Sequence, residues 1–251
     1  MEKHKKTVLI IAITVFVIAA AYFAFLYLKS YMVHGRLEVK GTFRINHTDS
    51  SFTLDPANPL WDGIAGEKIH LLPQSARSPF GSAEFDILVR GAFNATEIAF
   101  LLEFPDDTEN RTGPANPDAC AVLVTPANAS AVAQMMGYET RANIWHWLAT
   151  RDAERYLNNN ASVNPVRELT VKGPGTQTPM EAQYVDGRGE YKDGEWRVVF
   201  IRKREIRQKD EIDFEKELNI AFAVWNGSRM EASSRKSISV LRTLIMEKQA
   251  Q

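Results

Sequence analysis

Sulfur, indole and amine groups gather in three stretches of this 251-residue chain. The first runs from the apolar segment Asp118-Ala-Cys-Ala-Val-Leu-Val124 to Gln134-Met135-Met136-Gly137. The second is Asn143-Ile144-Trp145-His146-Trp147. The third is Ile220-Ala-Phe-Ala-Val-Trp225-Asn-Gly227, followed by Ser234-Arg235-Lys236-Ser237-Ile238-Ser239. Sulfur and nitrogen donors of these kinds can ligate a transition metal. Taken alone, however, a methionine pair is a gap-filler in an irregular core, and a lysine between Arg and Ser is a solvated surface charge.

Other chemistry finds less support. His4, His34, His47, His70 and His146 lack the i, i+4 or H-x-H spacing of a metal cage. Asp106-Asp107 and Asp210-Glu211-Ile212-Asp213 are acidic enough for Ca²⁺ or acid-base work, yet such groups are ordinarily solvated in loops. Gly173-Pro174-Gly175 opens no helix, so it makes no nucleotide cradle, and no nucleophile-elbow or zincin motif occurs. Cys120 is the sole cysteine, which excludes an internal disulfide, a Cys-rich metal site and a covalent c-type haem.

The elements that must position these groups follow from composition and pattern. With 45% apolar and 24% charged residues the chain is globular, and a net charge of -1 gives no pull toward nucleic acid. Thr7 to Leu28 is uncharged and almost wholly apolar, long enough at about 1.5 Å per residue to cross a bilayer core of roughly 30 Å. The alternative, a cleaved signal peptide ending near Ala19-Ala20-Ala21, fits less well because the apolar run continues past that site. Lys3, Lys5 and Lys6 precede the span, and Lys29 and Arg36 follow it. That bias puts residues 1–6 in the cytoplasm, an anchor at 7–28, and one extracytoplasmic domain at 36–251. N-x-S/T sequons at Asn46, Asn94, Asn110, Asn128, Asn160 and Asn226 agree with an outside location, although Asn and Ser also crowd into turns together.

Beyond Gly35 short alternating segments are broken by turn residues, which predicts strands at 36–40, 43–45, 68–72, 84–93, 97–104, 119–125, 168–172, 181–185, 195–203, 218–225 and 236–246. Short helices are expected over Ala129 to Met136 and Ala149 to Leu157, with Asp152, Glu154 and Arg155 facing water. If Asn143 to Trp147 is extended, Trp145 and Trp147 share a face. The expected fold is therefore all-β, an antiparallel β-sandwich with short helices, preceded by one N-terminal transmembrane helix.

Nine segments in order carry a resemblance. They begin with Asp55-Pro-x-x-Pro59-x-Trp61 and Ile69-x-Leu71-x-Pro73-Gln74, then Glu97 to Phe104 and the Asp118 strand. Met136-Gly137, Ile144 to Trp147 and Gly194-Glu-Trp196 to Arg202 follow, and Ile220 to Gly227 and Arg235 to Ser239 close the series. In that order they resemble the haem b binding γ subunits of the type II dimethyl-sulfoxide-reductase family, the ethylbenzene-dehydrogenase-like haem domain. The resemblance implies non-covalent haem b, with Met136 and Lys236 as axial ligands and Met135 as the alternative sulfur donor. It further implies an electron-transfer subunit and not an enzyme, accompanied by an iron–sulfur β subunit, a molybdopterin α subunit and an external redox carrier. Arg141-Ala142 and Ser234 depart from the Pro-Val and Gly usual beside the two ligands. A second reading is a haem-free ligand- or carbohydrate-binding module in which Trp145, Trp147, Trp196 and Trp225 stack on sugar rings.

Overall fold

The computed structural model describes residues 6, 11–25, 39, 41–74, 82–113, 116–127, 142–171 and 177–247. Residues 11–25 are helical and exposed, and among the described residues no helix is long and apolar enough to cross a membrane. The expected span at 7–28 extends past the described residues at both ends. The helix expected over Ala129 to Met136, and nearly all of the strand expected at 36–40, lie outside them.

From residue 42 onward the described chain is dominated by strands: β1 (Thr42–His47), β2 (Gly66–Pro73), β3 (Phe85–Phe93), β4 (Glu97–Pro105), β5 (Ala119–Pro126), β6 (Ala142–Leu148), β7 (Val166–Val171), β8 (Thr178–Pro179), β9 (Val185–Lys192), β10 (Glu195–Lys203), β11 (Leu218–Trp225), β12 (Ser237–Ile238) and β13 (Arg242–Glu247). They pair in the order β8-β7-β6-β5-β11-β12-β2-β3-β4-β10-β9, with β13 joining β11 and β1 joining β13 and β3. Pairing is antiparallel except at β1, which runs parallel to both its neighbours.

Period-two alternation folds this long sheet onto itself, because each strand turns large apolar residues toward a shared interior. Trp145 on β6 packs 5.8 Å from Phe100 on β4, and Trp147 lies 5.0 Å from Trp196 on β10. Phe43 on β1 bridges the halves between Phe100 and Phe222. The ends of the sheet are bolted by a buried ion triad, Arg202 with Glu168 at 3.2 Å and Glu211 at 3.1 Å. Glu211 is thus a core group and not the solvated loop acid its neighbours suggested.

One half of the sandwich has its outer face plugged. Asp55 accepts from Ala57 N, Asn58 caps a 3-10 turn (Pro59–Gly63) by accepting from Leu60 N, and Trp61 is driven onto Phe52 and the Ala92, Ala99 and Leu101 face. The helix expected at 149–157 is present as a short α-turn (Ala149–Asp152) continued by a π-turn (Ala153–Leu157). Asp152 departs from expectation: it is buried, not wet. It accepts from Trp147 Nε1, Gly189 N and Arg111 Nη1.

Two strand limits also differ. The segment expected at 236–246 is cut into β12 and β13. The strand expected at 181–185 begins only at Val185 and continues to Lys192, where Gly187 and Gly189 replace the apolar residues that mark a strand. Those glycines let β9 approach β6: a Cβ on Gly189 would fall on the Trp147 ring. Gly189→Ala is expected to destabilise the protein by about 1–3 kcal/mol in urea unfolding followed by tryptophan fluorescence. Gly63→Ala, with nothing within 4 Å of the new methyl, should behave like wild type. Equal stabilities for the two variants contradict this packing.

Candidate functional site

Strands β5, β6 and β11 bury both faces but sort their residues by size. Val122, Val124, Trp145, Trp147, Ile220, Phe222 and Val224 point into the sandwich. The outer face carries Ala119, Ala121, Ala221 and Ala223 with Leu123, Ile144 and Trp225. Strand register lines up Ile238, Ala223, Ala121, His146 and Arg167 in one row across β12, β11, β5, β6 and β7. Four strand spacings make that row about 19 Å long.

Over this face opens a cavity of about 240 Å³, lined by Ile144, Leu169 and Trp225 with the polar residues His146, Arg167, Gln177, Ser233 and Lys236. Lys236 is 1% exposed. Its Nζ donates to Ser233 O at 3.0 Å and stands 5.1 Å from the centre of the Trp225 ring. Burial lowers its pKa to about 8, so the neutral amine is far more accessible than for a solvated lysine. Ser233, at φ 55, also accepts from Trp225 Nε1, so one carbonyl orients both side chains.

His146 packs on the other flank of Trp225, ring centres 4.8 Å apart. Its Nε2 is sealed from solvent without a hydrogen-bond partner among the described residues. Burial, reinforced by the charges of Arg167 and Lys236, lowers its pKa to about 3 and leaves a neutral imidazole. The histidine pattern gave no hint of this, because its neighbours in the cavity come from other strands.

The Ser-Ile-Ser that follows Lys236 works as a set of fasteners. Ser237 Oγ donates to Ala83 O, and Ser239 Oγ accepts from Phe222 N. On the other side Gly227 N donates to Asp118 and Asn226 Nδ2 donates to Asp106, pinning the turn that leads toward Lys236. Asp106 is buried, contrary to the solvated reading. Burial first, and then the charge of Asp118, push its pKa up to about 7.

Met135, Met136 and Asn128 lie outside the described residues. Trp145, Trp147 and Trp196 are at most 1% exposed and lie in the core, so they offer no face to a sugar; only Trp225 reaches the cavity. Among the described sequons Asn46 is exposed, while Asn94, Asn110, Asn160 and Asn226 are part-buried. In Asn94, Asn160 and Asn226 the amide oxygen accepts from the hydroxyl of its own sequon Thr or Ser. The Asx-turn role of such triplets is therefore realised at these three positions.

Residues 170–237, which include Gln177, Ser233 and Lys236, match the ethylbenzene dehydrogenase family. A protein of Haloferax mediterranei named as a respiratory nitrate reductase haem subunit is 31% identical over 73% of this chain, which spans 65% of that relative's length. The dimethylsulfide dehydrogenase subunit gamma of Rhodovulum sulfidophilum is 27% identical over 74% of this chain and 72% of its own. A family 9 carbohydrate binding module of Caldicellulosiruptor kristjanssonii, solved with glucose, aligns over 83% of this chain and 98% of its own with 11% identity and a TM-score of 0.46.

The Asp106 and Asp118 pair gives a pH signature. A carboxyl whose folded pKa lies above its unfolded value of about 3.9 binds more protons in the native state, so its stabilising contribution is complete below that value and is lost as pH rises through about 7. Asp106→Asn keeps the Oδ1 that accepts from Asn226 and removes the charge. It should match wild type near pH 4 and exceed it above pH 8, by on the order of 1 kcal/mol in urea unfolding. A pH-independent difference contradicts the buried-pair account.

Proposed function

We propose that this chain is one of the ethylbenzene-dehydrogenase-like haem-binding subunits, an electron-transfer subunit of a molybdenum oxidoreductase complex that holds haem b non-covalently in the cavity beside Lys236. The observation that carries this reading is the amine itself: it is buried, its hydrogen bond goes to a carbonyl, and no carboxylate lines its cavity. The residues present fit the group. Ile144, Leu169 and Trp225 give the cavity an apolar side for a ring to lie against, and the buried amine is a nitrogen donor once its proton leaves.

Bound there, haem supplies one-electron exchange at its iron. The chain's own residues do the rest. Ser233 O and the Trp225 ring hold Lys236 Nζ in place, and burial lowers the cost of its deprotonation. His146 stays neutral and so adds no positive charge next to the iron. Met136 would hold the iron together with Lys236 in this proposal, with Met135 as the neighbouring alternative. If Met136 and Lys236 both held the iron, the group would supply electron transfer, and catalysis would belong to a partner chain. The proposed partners are an iron–sulfur subunit, a molybdopterin subunit and an external redox carrier.

The purified full chain reconstituted with haem should give sharp low-spin b-type bands on reduction and bind carbon monoxide poorly. Lys236→Ala should create carbon monoxide binding, and Lys236→Arg should not rescue, because guanidinium stays protonated. Met136→Ala should alter spin state and lower the potential; if Met135→Ala does so instead, the sulfur ligand is one residue earlier. An unchanged spectrum in Lys236→Ala, or no haem uptake by wild type, overturns the assignment.

The same proposal includes a single-pass anchor at 7–28 with residues 1–6 cytoplasmic and the 36–251 domain outside, on the strength of the Lys3, Lys5, Lys6 bias. Protease added to right-side-out vesicles should digest the large domain. Full protection there reverses the orientation.

A further inference from the structure

Arg167 reaches the rim of the cavity as an exposed cation. On β7 its neighbour Glu168 turns inward to Arg202, so alternation turns Arg167 outward, where register sets it directly across from His146. Most arginines of the sandwich have carboxylate partners, for example Arg90 with Glu103, Arg155 with Asp186 and Arg111 with Asp152. Arg167 has none among the described residues, and no Asp or Glu lines the cavity it borders. Gln177, also exposed, adds an amide to the same cavity.

The cavity therefore has a polarity. Its floor is apolar and its buried end carries Lys236, next to β12, while its open end carries a guanidinium on β7 at the far side of the strand row. A guanidinium with no acid among the cavity's lining residues suits an occupant that brings negative charge, and apolar lining suits one that is mostly hydrophobic. We propose that Arg167 is the carboxylate clamp of this cavity, pairing with a propionate of haem at the ring edge away from Lys236, with Gln177 as a second donor. The clamp rests on the haem-binding reading above. Arginine suits the task because its fork takes a carboxylate in two parallel hydrogen bonds and it never loses its charge.

The test compares haem b with haem dimethyl ester, in which both carboxylates are masked, on the full chain. Arg167→Ala should weaken haem b binding about tenfold, leave affinity for the dimethyl ester unchanged, and lower the midpoint potential by uncovering a propionate charge. Arg167→Lys should recover part of the haem b affinity. Equal weakening for both haems indicates a packing role and overturns the clamp, as does a variant that binds haem b as wild type does. Wild type that takes up neither haem overturns the haem-binding reading itself, and the clamp with it.

Discussion

The site depends on one constraint: β5, β6 and β11 must bury both of their faces, and the two faces hold side chains of different size. Inside, valines, tryptophans and phenylalanines interlock with the opposite half of the sandwich; outside, Ala119, Ala121, Ala221 and Ala223 pack in a second buried layer with Leu123, Ile144 and Trp225. A slip of one residue in any of these strands exchanges the faces, sending Trp145 and Trp147 outward and alanines inward. The same register sets His146 and Arg167 on the row that begins beside Lys236, so the core packing and the cavity lining are two results of one alternation.

Buried carboxylates then hold the ends of the strands. Asp152 gathers the Trp147 indole, the Gly189 amide and Arg111 on one atom pair, and Asp118 does the same for Trp196, Asn110 and Gly227. Glu168 joins Arg202 to the Tyr184 amide. Each acid accepts from several buried donors at once, so losing any one leaves polar groups short of a partner. The turn before Lys236 is therefore held as firmly as the core although it runs along the edge of the cavity.

Much of this was legible in the sequence, and the parts that were not share a cause. Strands β2 to β5, β10 and β11 announce themselves by apolar runs, and the Asp55 to Trp61 segment, read as one piece of the resemblance, forms a capped 3-10 turn. Strand β9 did not, because Gly187 and Gly189 give up side chains to make room for the residues of β6 and β7. Asp106 and Asp152 look like wet loop acids because partners that bury them lie far along the chain, Asp106 and Asn226 being 120 apart and Asp152 and Arg111 41 apart, whereas Glu211 is drawn in by Arg202 only nine residues away. Lys236 stood out through its segment's resemblance and not through its own type. His146 and Arg167 were passed over because their relation to the cavity exists only across paired strands.

The parallel pairing of β1 with β13 ties Thr42 to Thr243, and Arg242 Nη1 reaches back to Thr42 O across 200 positions of chain. Closing so long a loop costs roughly 5 kcal/mol of chain entropy, and nothing local repays it before the last strand arrives. Phe43 and Ile45 fill the seam between the halves on the strand that this late pairing places. Such a topology makes closure a late and comparatively slow event. Strands β5 and β11 pair antiparallel inside that closure, and β11 also pairs with the last strand, so the outer-face layer and the seam are both tied to the chain's final segment.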